Sequence, residues 1–280
     1  MKILYIHQYF FTPDEHGTSR SYWFAKKLVE EGFQVTMITS TNKFKHKKAE
    51  ITDIDGIRVI YLENGYSQYY GRIRKVYSFV TFVIRAIRQA LKEKNVDLVF
   101  ATSTPLTVGF IALVLKQIKK WRYVFEVRDL WPEFPIQIGA IRKPLLIRIL
   151  RKLEKTIYQK SEHVIALSPG MAEGVLSCGI PEDKVTIITN MSKGDLFYPR
   201  ERTNEQFLKY GIDKTKFNVA HVGSMGVANG LDMVVQTARF LQQKRQDDSI
   251  NFVIASFPSP FLGHPLPGLP RNPLRQLRTE

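Results

Sequence analysis

Apolar positions along the chain fall into two alternating rhythms. Short apolar runs at residues 2–6, 34–38, 57–61, 97–101, 122–127, 163–167 and 185–188 are too brief for helices and predict strands. Between them lie longer stretches with apolar residues three and four apart, the spacing of one helix face. These are 19–31, closed by Gly32, then 72–94, 105–119, 144–160 and a helix beginning at Pro169. Thr104 is placed to cap the third of these helices. The alternation predicts an α/β fold, a doubly wound parallel sheet with helices on both faces. In helix 72–94, Ile73, Val76, Tyr77, Val80, Ile84, Ile87 and Leu91 share one stripe, which predicts its core-facing side. Phe79 and Phe82 lie away from that stripe, on a side shared with Lys75.

The pattern breaks at residues 190–204, NMSKGDLFYPRERTN, which reads as an interdomain linker. It restarts with a strand at 217–222, a helix at 230–243 and a strand at 250–255, a single β-α-β unit. From residue 256 the text is crowded with proline, which removes backbone donors and fixes φ, so neither period continues. The predicted organisation is a first Rossmann-like domain at 1–189, the linker at 190–204, a partial second domain at 205–255 and an irregular tail at 256–280.

Composition narrows the partners. The 280 residues, 44% hydrophobic, can build two α/β domains of ordinary size. A formal net charge of +15 predicts anionic partners: phosphates, nucleotides, lipid headgroups or nucleic acid. The one cysteine, Cys178, excludes an intrachain disulfide and points to a reducing compartment. The opening MKILYIHQYF is broken by His7 and Gln8 and reads as a first strand, not a secretory leader. The longest apolar segments fall short of the roughly 20 residues that span a bilayer, so a soluble or peripheral protein is expected.

In a doubly wound sheet, ligands gather beyond the carboxyl ends of the strands. Three such ends carry chemistry. The first strand leads to Gly17, Thr18, Ser19 and Arg20, a small-residue turn at a helix start that suits a phosphate or a sugar hydroxyl, or is simple capping. The fourth ends in ATSTP, rich in hydroxyls. The fifth ends in EVRDLWP, where Arg128, always charged, suits an anionic group. Asp129 can accept a proton, orient a hydroxyl, or only pair with Arg128. Trp131 and Phe134 can face a sugar ring or pack the next helix.

Taken together these motifs resemble the family 4 glycosyltransferases of the GT-B fold, in particular the branch that transfers N-acetylated amino sugars in bacterial surface polysaccharide assembly. The resemblance covers residues 1–255. ILYIHQYFFTPDEHGTSRSYWFAKKLVEEGFQVTMIT resembles the family's first strand, glycine-bearing loop and first helix, with Thr18 where many members carry a second glycine. FEVRDLWP resembles the strand-end motif, Arg128 standing where many members have histidine. ITNMSKGDLFYP resembles the domain linker, carrying over Asn190 and Asp195. AHVGSMGVANGLDMVV resembles the opening of the donor domain: Gly223 and Gly230 match, while Ser224 and Asn229 fall where an Arg and a Lys often lie. The resemblance implies a donor domain continuing into an acidic Glu-x7-Glu motif, which nothing after Ala255 matches, so a truncated donor domain is expected.

The implied activity is retaining, metal-independent transfer of a sugar from a nucleotide diphosphate donor, UDP being the expected nucleotide, to a lipid-linked or saccharide acceptor, with no cofactor. Arg128 and Asp129 are the implied catalytic pair; Gly17, Thr18 and Arg20 the acceptor or phosphate site; Gly223, Ser224, Asn229 and Gly230 the donor site. The alternative is an inactive remnant that keeps an acceptor- or membrane-binding surface. Around 145–160, Arg148, Arg151, Lys152 and Lys155 share one face, with Ile149, Leu153 and Ile157 turned away from it. With Lys75, Phe79 and Phe82 these predict a surface resting on anionic lipid, at the cytoplasmic side of a membrane. The rival reading is an ordinary solvated face. Nucleic acid is not an expected partner, because no zinc-finger spacing, RNP-like aromatic pair or GXXG loop accompanies the dispersed charge. Asp53-Ile54-Asp55 precedes Gly56 and a strand, so it reads as a turn and not a metal site. His7, at a strand end, either lines the cleft or is a lone satisfied histidine, and the second is the preferred reading.

Overall fold

Strand–helix alternation folds as the pattern predicts. The computed structural model describes residues 1–255 apart from 16, 18, 42–48, 66–69, 193, 195, 196, 202, 203, 224–228 and 246–248, and without the side chains of 72, 75, 204, 206, 244 and 245. The chain divides into two units, Met1–Ser192 and Lys193–Glu280.

The first unit is built on an eight-stranded sheet in the order β3-β4-β2-β1-β5-β6-β7-β8. The strands are β1 Lys2–Ile6, β2 Gln34–Thr41, β3 Ala49–Ile54, β4 Ile57–Glu63, β5 Leu98–Thr102, β6 Arg122–Val127, β7 His163–Ala166 and β8 Val185–Ile187. All pairings are parallel except β3 with β4, which run antiparallel. The connecting helices are α1 Arg20–Glu30, α2 Arg72–Ala90, α3 Thr107–Lys119, α4 Glu133–Gln137, α5 Pro144–Lys160 and α6 Pro169–Leu176. Strand order reverses between β1 and β5, so the switch point lies where those two strands separate.

Two departures follow from what buries each element. β3 and α4 have no counterpart in the predicted pattern. β3 is an edge strand whose AEITDI text presents no buried position, so no apolar run marks it. It returns through a tight turn in which Asp55 adopts φ 52° and Gly56 φ 81°, while Gly56 N–H donates to Asp53 Oδ1 at 3.0 Å. The Asp53-Ile54-Asp55 triplet is therefore turn chemistry, as its text suggests.

The second departure reverses α2. Its predicted core stripe faces outward: Ile73 is 88% exposed, Tyr77 71%, and Val76, Val80 and Ile84 are exposed too. The buried face is Ser78, Phe82, Ala86 and Ala90, with Phe82 wholly inaccessible. Small residues let the helix backbone lie close to the sheet, and Asn64 Nδ2 donates to Ser78 Oγ at 3.1 Å to fix the contact. Phe82 is thus a core residue and not part of a lipid-facing surface, and burying its ring contributes on the order of 2–3 kcal/mol. Ile87 and Leu91 are only partly buried, at the margin of the core. Phe79 is half-buried; the side chain of Lys75 lies outside the described residues.

The main core joins α2, α3 and α5 to one face of the sheet through Phe82, Ile111, Leu115, Phe125, Ile157 and their neighbours. A second cluster packs α1 on the other face around Tyr5, Tyr22, Met37 and Phe100. Gly109 makes the α3–α5 approach possible, since a Cβ there would lie 2.7 Å from Ile157 Cδ1 and 2.9 Å from Phe125.

The second unit contains α7 Asn204–Tyr210, β9 Phe217–Val222, α8 Leu231–Phe240 and β10 Ile250–Ala255. β9 and β10 pair in parallel across α8, with Phe217 opposite Ile250 and Val222 opposite Ala255. Residues 256–280, predicted as an irregular tail, lie outside the described residues.

Candidate active site at the carboxyl edge of the sheet

Because every strand from β1 to β8 except β3 runs the same way, the ends of β1, β5 and β6 open on one edge, beside the switch point. Arg128 and Asp129 follow β6 there. The Arg128 backbone N–H donates to Ser103 Oγ at 2.9 Å, and Asp129 Oδ2 accepts from Thr104 Oγ1 at 2.5 Å. Both hydroxyls come from the ATSTP stretch after β5. Thr104 therefore serves Asp129 and does not cap α3, whose N-cap position is Leu106. No ion pair joins Arg128 to Asp129 among the described residues, so the simple closing pair is not what this turn forms.

Arg128 is instead steered by His7. His7 Nε2 lies 3.3 Å from Arg128 Nη1, and His7 Nδ1 lies 2.8 Å from Ser21 Oγ on α1. An arginine only donates, so Nε2 is the accepting nitrogen and Nδ1 carries the proton. Burial, reinforced by the neighbouring Arg128 charge, lowers the His7 pKa to about 3. The ring is neutral at physiological pH and can hold the guanidinium without repelling it. Ser21, His7 and Arg128 form a line across the β1 end, in which His7 is a positioning residue. The sequence marks it only as a polar residue ending an apolar run.

Arg20 is placed differently from its predicted role. It is 5% exposed, and its Nε donates to Glu126 Oε1 at 2.9 Å. Nη1 donates to the Thr189 carbonyl at 2.5 Å and Nη2 to the Ile188 carbonyl at 2.6 Å. Glu126, wholly buried, takes a second bond from Thr102 Oγ1 at 2.9 Å, and the Tyr5 hydroxyl lies 3.2 Å from that oxygen. Arg20 is therefore a buried clamp between β6 and the segment after β8, closed to a phosphate or an acceptor. The reason is Glu126: a carboxylate inside a strand needs a cation, and Arg20 supplies it. The charged Glu126 within YVFEV was the available signal. Burial, with the Glu126 charge next, raises the Tyr5 pKa well above its ordinary range.

Gly17 packs rather than cradles, since a Cβ there would lie 2.3 Å from the Phe11 ring. Thr18 lies outside the described residues. Ser19 precedes α1 without a side-chain capping bond. Trp131 packs against the main core, whereas Phe134 is 41% exposed. In the second unit, Gly223 follows β9, and Gly230 precedes α8 at φ 60°, a left-handed conformation that favours glycine. Asn229 is exposed beside it. Ser224 and Asp195 lie outside the described residues, and Asn190 is exposed in the segment after β8. Arg148, Arg151, Lys152 and Lys155 are all exposed on α5, Arg151 pairing with Glu133 at 3.0 Å. Ile149, predicted to turn away from them, is 55% exposed on the same side. Leu153 is partly buried against the core and Ile157 is fully buried.

Among the described residues no group of three His, Cys, Asp or Glu side chains is placed to hold a metal ion, and no helix is long and apolar enough to cross a membrane.

A family model described as a glycosyl transferase 4-like domain matches residues 17–191. An α-galactosylglucosyldiacylglycerol synthase from Streptococcus pneumoniae is 25% identical over 108 residues, covering 38% of this chain and 29% of that protein. Among solved structures, sucrose-phosphate synthase from Thermosynechococcus elongatus aligns over 91% of this chain and 70% of its own, at TM-score 0.63 and 15% identity. The Escherichia coli trehalose-6-phosphate structure bound with UDP-2-fluoro glucose aligns over 91% and 64%, at TM-score 0.62 and 8% identity. Anabaena HepE in complex with UDP and glucose aligns over 91% and 69%, at TM-score 0.52 and 13% identity. At such identities the structural likeness shows a shared fold, the doubly wound α/β architecture expected from the strand–helix pattern.

Proposed function

Because this chain belongs to the glycosyl transferase 4-like family, we propose that it serves the transfer of a sugar from a nucleotide diphosphate donor to a lipid-linked acceptor. The observation that carries this reading is the convergence of His7, Ser103 and Thr104 on Arg128 and Asp129 at the switch-point edge. In the reaction, the bond between the anomeric carbon and the diphosphate oxygen breaks. The acceptor hydroxyl oxygen bonds to that carbon, and the diphosphate departs with the bonding electrons. Arg128, fixed by His7 and by its backbone bond to Ser103, neutralises the charge that develops on the leaving diphosphate. Asp129, oriented by Thr104, orients the acceptor hydroxyl and takes its proton.

The second unit supplies the donor side through Gly223, Asn229 and Gly230. The solved neighbours in complex with UDP or a UDP-sugar support a UDP-linked donor. The FEVRDLWP motif supports an N-acetylated amino sugar as the transferred group, with retention at the anomeric carbon and no metal in the step. The glycolipid synthase among the relatives supports an acceptor carried on lipid, and a protein working peripherally at the inner face of a membrane.

Calorimetric titration of the 280-residue chain with UDP, UDP-glucose and UDP-N-acetylglucosamine tests the donor half of this reading. Micromolar binding is expected, with transfer to lipid-linked acceptors assayed afterwards. A folded chain that binds no nucleotide sugar overturns it.

A further inference from the structure

The reversed helix α2 presents a face for which the core has no use. Ile73, Val76, Tyr77, Val80 and Ile84 recur at three- and four-residue spacing along its outer side, opposite the buried Phe82 and Ala86. α5 does the same on a smaller scale, where Leu145 and Ile149 are exposed opposite the buried Glu154, Ile157 and Tyr158. α3 packs between the two helices, and its Phe110 is exposed in the first turn. The parallel strands rise to the edge that holds Arg128, so the helices that return from it begin there. Most of these exposed apolar residues thus lie in the starting halves of α2, α3 and α5, toward the edge that holds Arg128, while Ile84 lies farther along α2 and Ile118 at the far end of α3.

Charge says what covers this face. α2 contains no acidic residue, and its exposed Arg74 and Arg88 flank the stripe. On α5, Arg148 and Lys152 are interleaved with Leu145 and Ile149, while the helix's one carboxylate, Glu154, is buried against Tyr158. Two copies of so cationic a face repel each other. A bilayer of anionic lipid meets both needs, taking the apolar side chains below its headgroups and pairing the cations at their level.

We propose that the outer faces of α2 and α5, bridged by Phe110, dock on an anionic bilayer and set the Arg128–Asp129 edge against it. The inference rests on the proposed lipid-linked acceptor, and it names the surface through which that acceptor is reached. It replaces Phe82 in the lipid-facing set with the Ile73–Val80 stripe and makes the contact an inserted one rather than a purely electrostatic one.

The test is vesicle flotation of the 280-residue chain, using phosphatidylcholine vesicles with and without about one third phosphatidylglycerol. Binding to the anionic vesicles alone is expected. Combined Val76→Ser, Tyr77→Ser and Val80→Ser should weaken it at least tenfold with the thermal midpoint unchanged. Combined Arg148→Ser and Lys152→Ser should weaken it several-fold. Wild-type protein that ignores anionic vesicles, or triple-variant protein that binds like wild type, overturns the proposal. So does a concentration-dependent dimer that the triple variant abolishes without any vesicle binding, which would make the face an interface between copies. UDP binding measured on the same samples without lipid separates the two readings. Its loss in wild type strikes the transferase function and leaves the vesicle result standing.

Discussion

Arg20 and Arg128 both read as anion-binding residues in the sequence, and the fold gives them opposite fates. Arg20 is sealed at the start of α1, its guanidinium spread over Glu126 and two carbonyls of the segment after β8. Arg128 stands half-buried at the end of β6, with a neutral histidine holding one of its nitrogens and its backbone tied to Ser103. The difference is the partner. The Glu126 carboxylate accepts from the Arg20 guanidinium, and the pair is consumed in holding the sheet to the chain segment beyond it. A neutral His7 orients Arg128 through one nitrogen without adding an opposing charge, which suits the anion-binding role proposed for it.

The comparison breaks most visibly at Arg20. Replacing it by Ala strands a buried carboxylate, and the expected loss is about 3–5 kcal/mol of folding stability in urea melts. A loss below about 0.5 kcal/mol would show that Glu126 does not depend on it. Arg128→Ala should do the reverse. Turnover should fall about 10²- to 10³-fold while the thermal midpoint barely moves, measured by a sugar-transfer assay alongside calorimetry. Equal losses of stability in the two variants would erase the distinction.

Glu154 sharpens the point from a third direction, as a buried carboxylate that forms no ion pair among the described residues and has Arg151 only as a minor opposing charge. Burial outweighs its bond from the Tyr158 hydroxyl and raises its pKa to about 7 from 4.5. The native state then keeps a proton that the unfolded chain has lost. Stability falls as pH rises from about 4.5 to about 7 and stays reduced above that. Glu154→Gln should remove this dependence and be more stable than wild type by about 3 kcal/mol at pH 8, with no gain at pH 4. Urea melts across that range check it. The smallest effect belongs to α2's outer face, where Tyr77→Ala should change stability in solution by less than about 0.5 kcal/mol. A loss of several kcal/mol would return Tyr77 to the core.

Much of the candidate site was legible piecemeal. EVRDLWP announced a strand end with a charged turn, and ATSTP announced hydroxyls. What joins them was not legible. Thr104 serves Asp129 across 25 residues of sequence, and His7 reaches Arg128 across 121. These contacts exist because β1, β5 and β6 are adjacent in the sheet, a fact that no local window contains. His7 was legible as a satisfied histidine but not as the residue that holds Arg128. Arg20 misled because a helix start with a cation is a local pattern, whereas its partner Glu126 lies 106 residues away.

The sequence by itself determined the strand–helix alternation, since apolar period is a local property that backbone geometry converts directly into elements. It also determined that α2 is amphipathic, but not which face is buried. Two faces of that helix are apolar enough to pack, one rich in large residues and one in small. Only the tertiary structure could choose between them, because the choice depends on how closely the sheet and α3 approach. The narrow gap admits Ser78, Phe82, Ala86 and Ala90 and leaves Ile73, Val76, Tyr77 and Val80 outside.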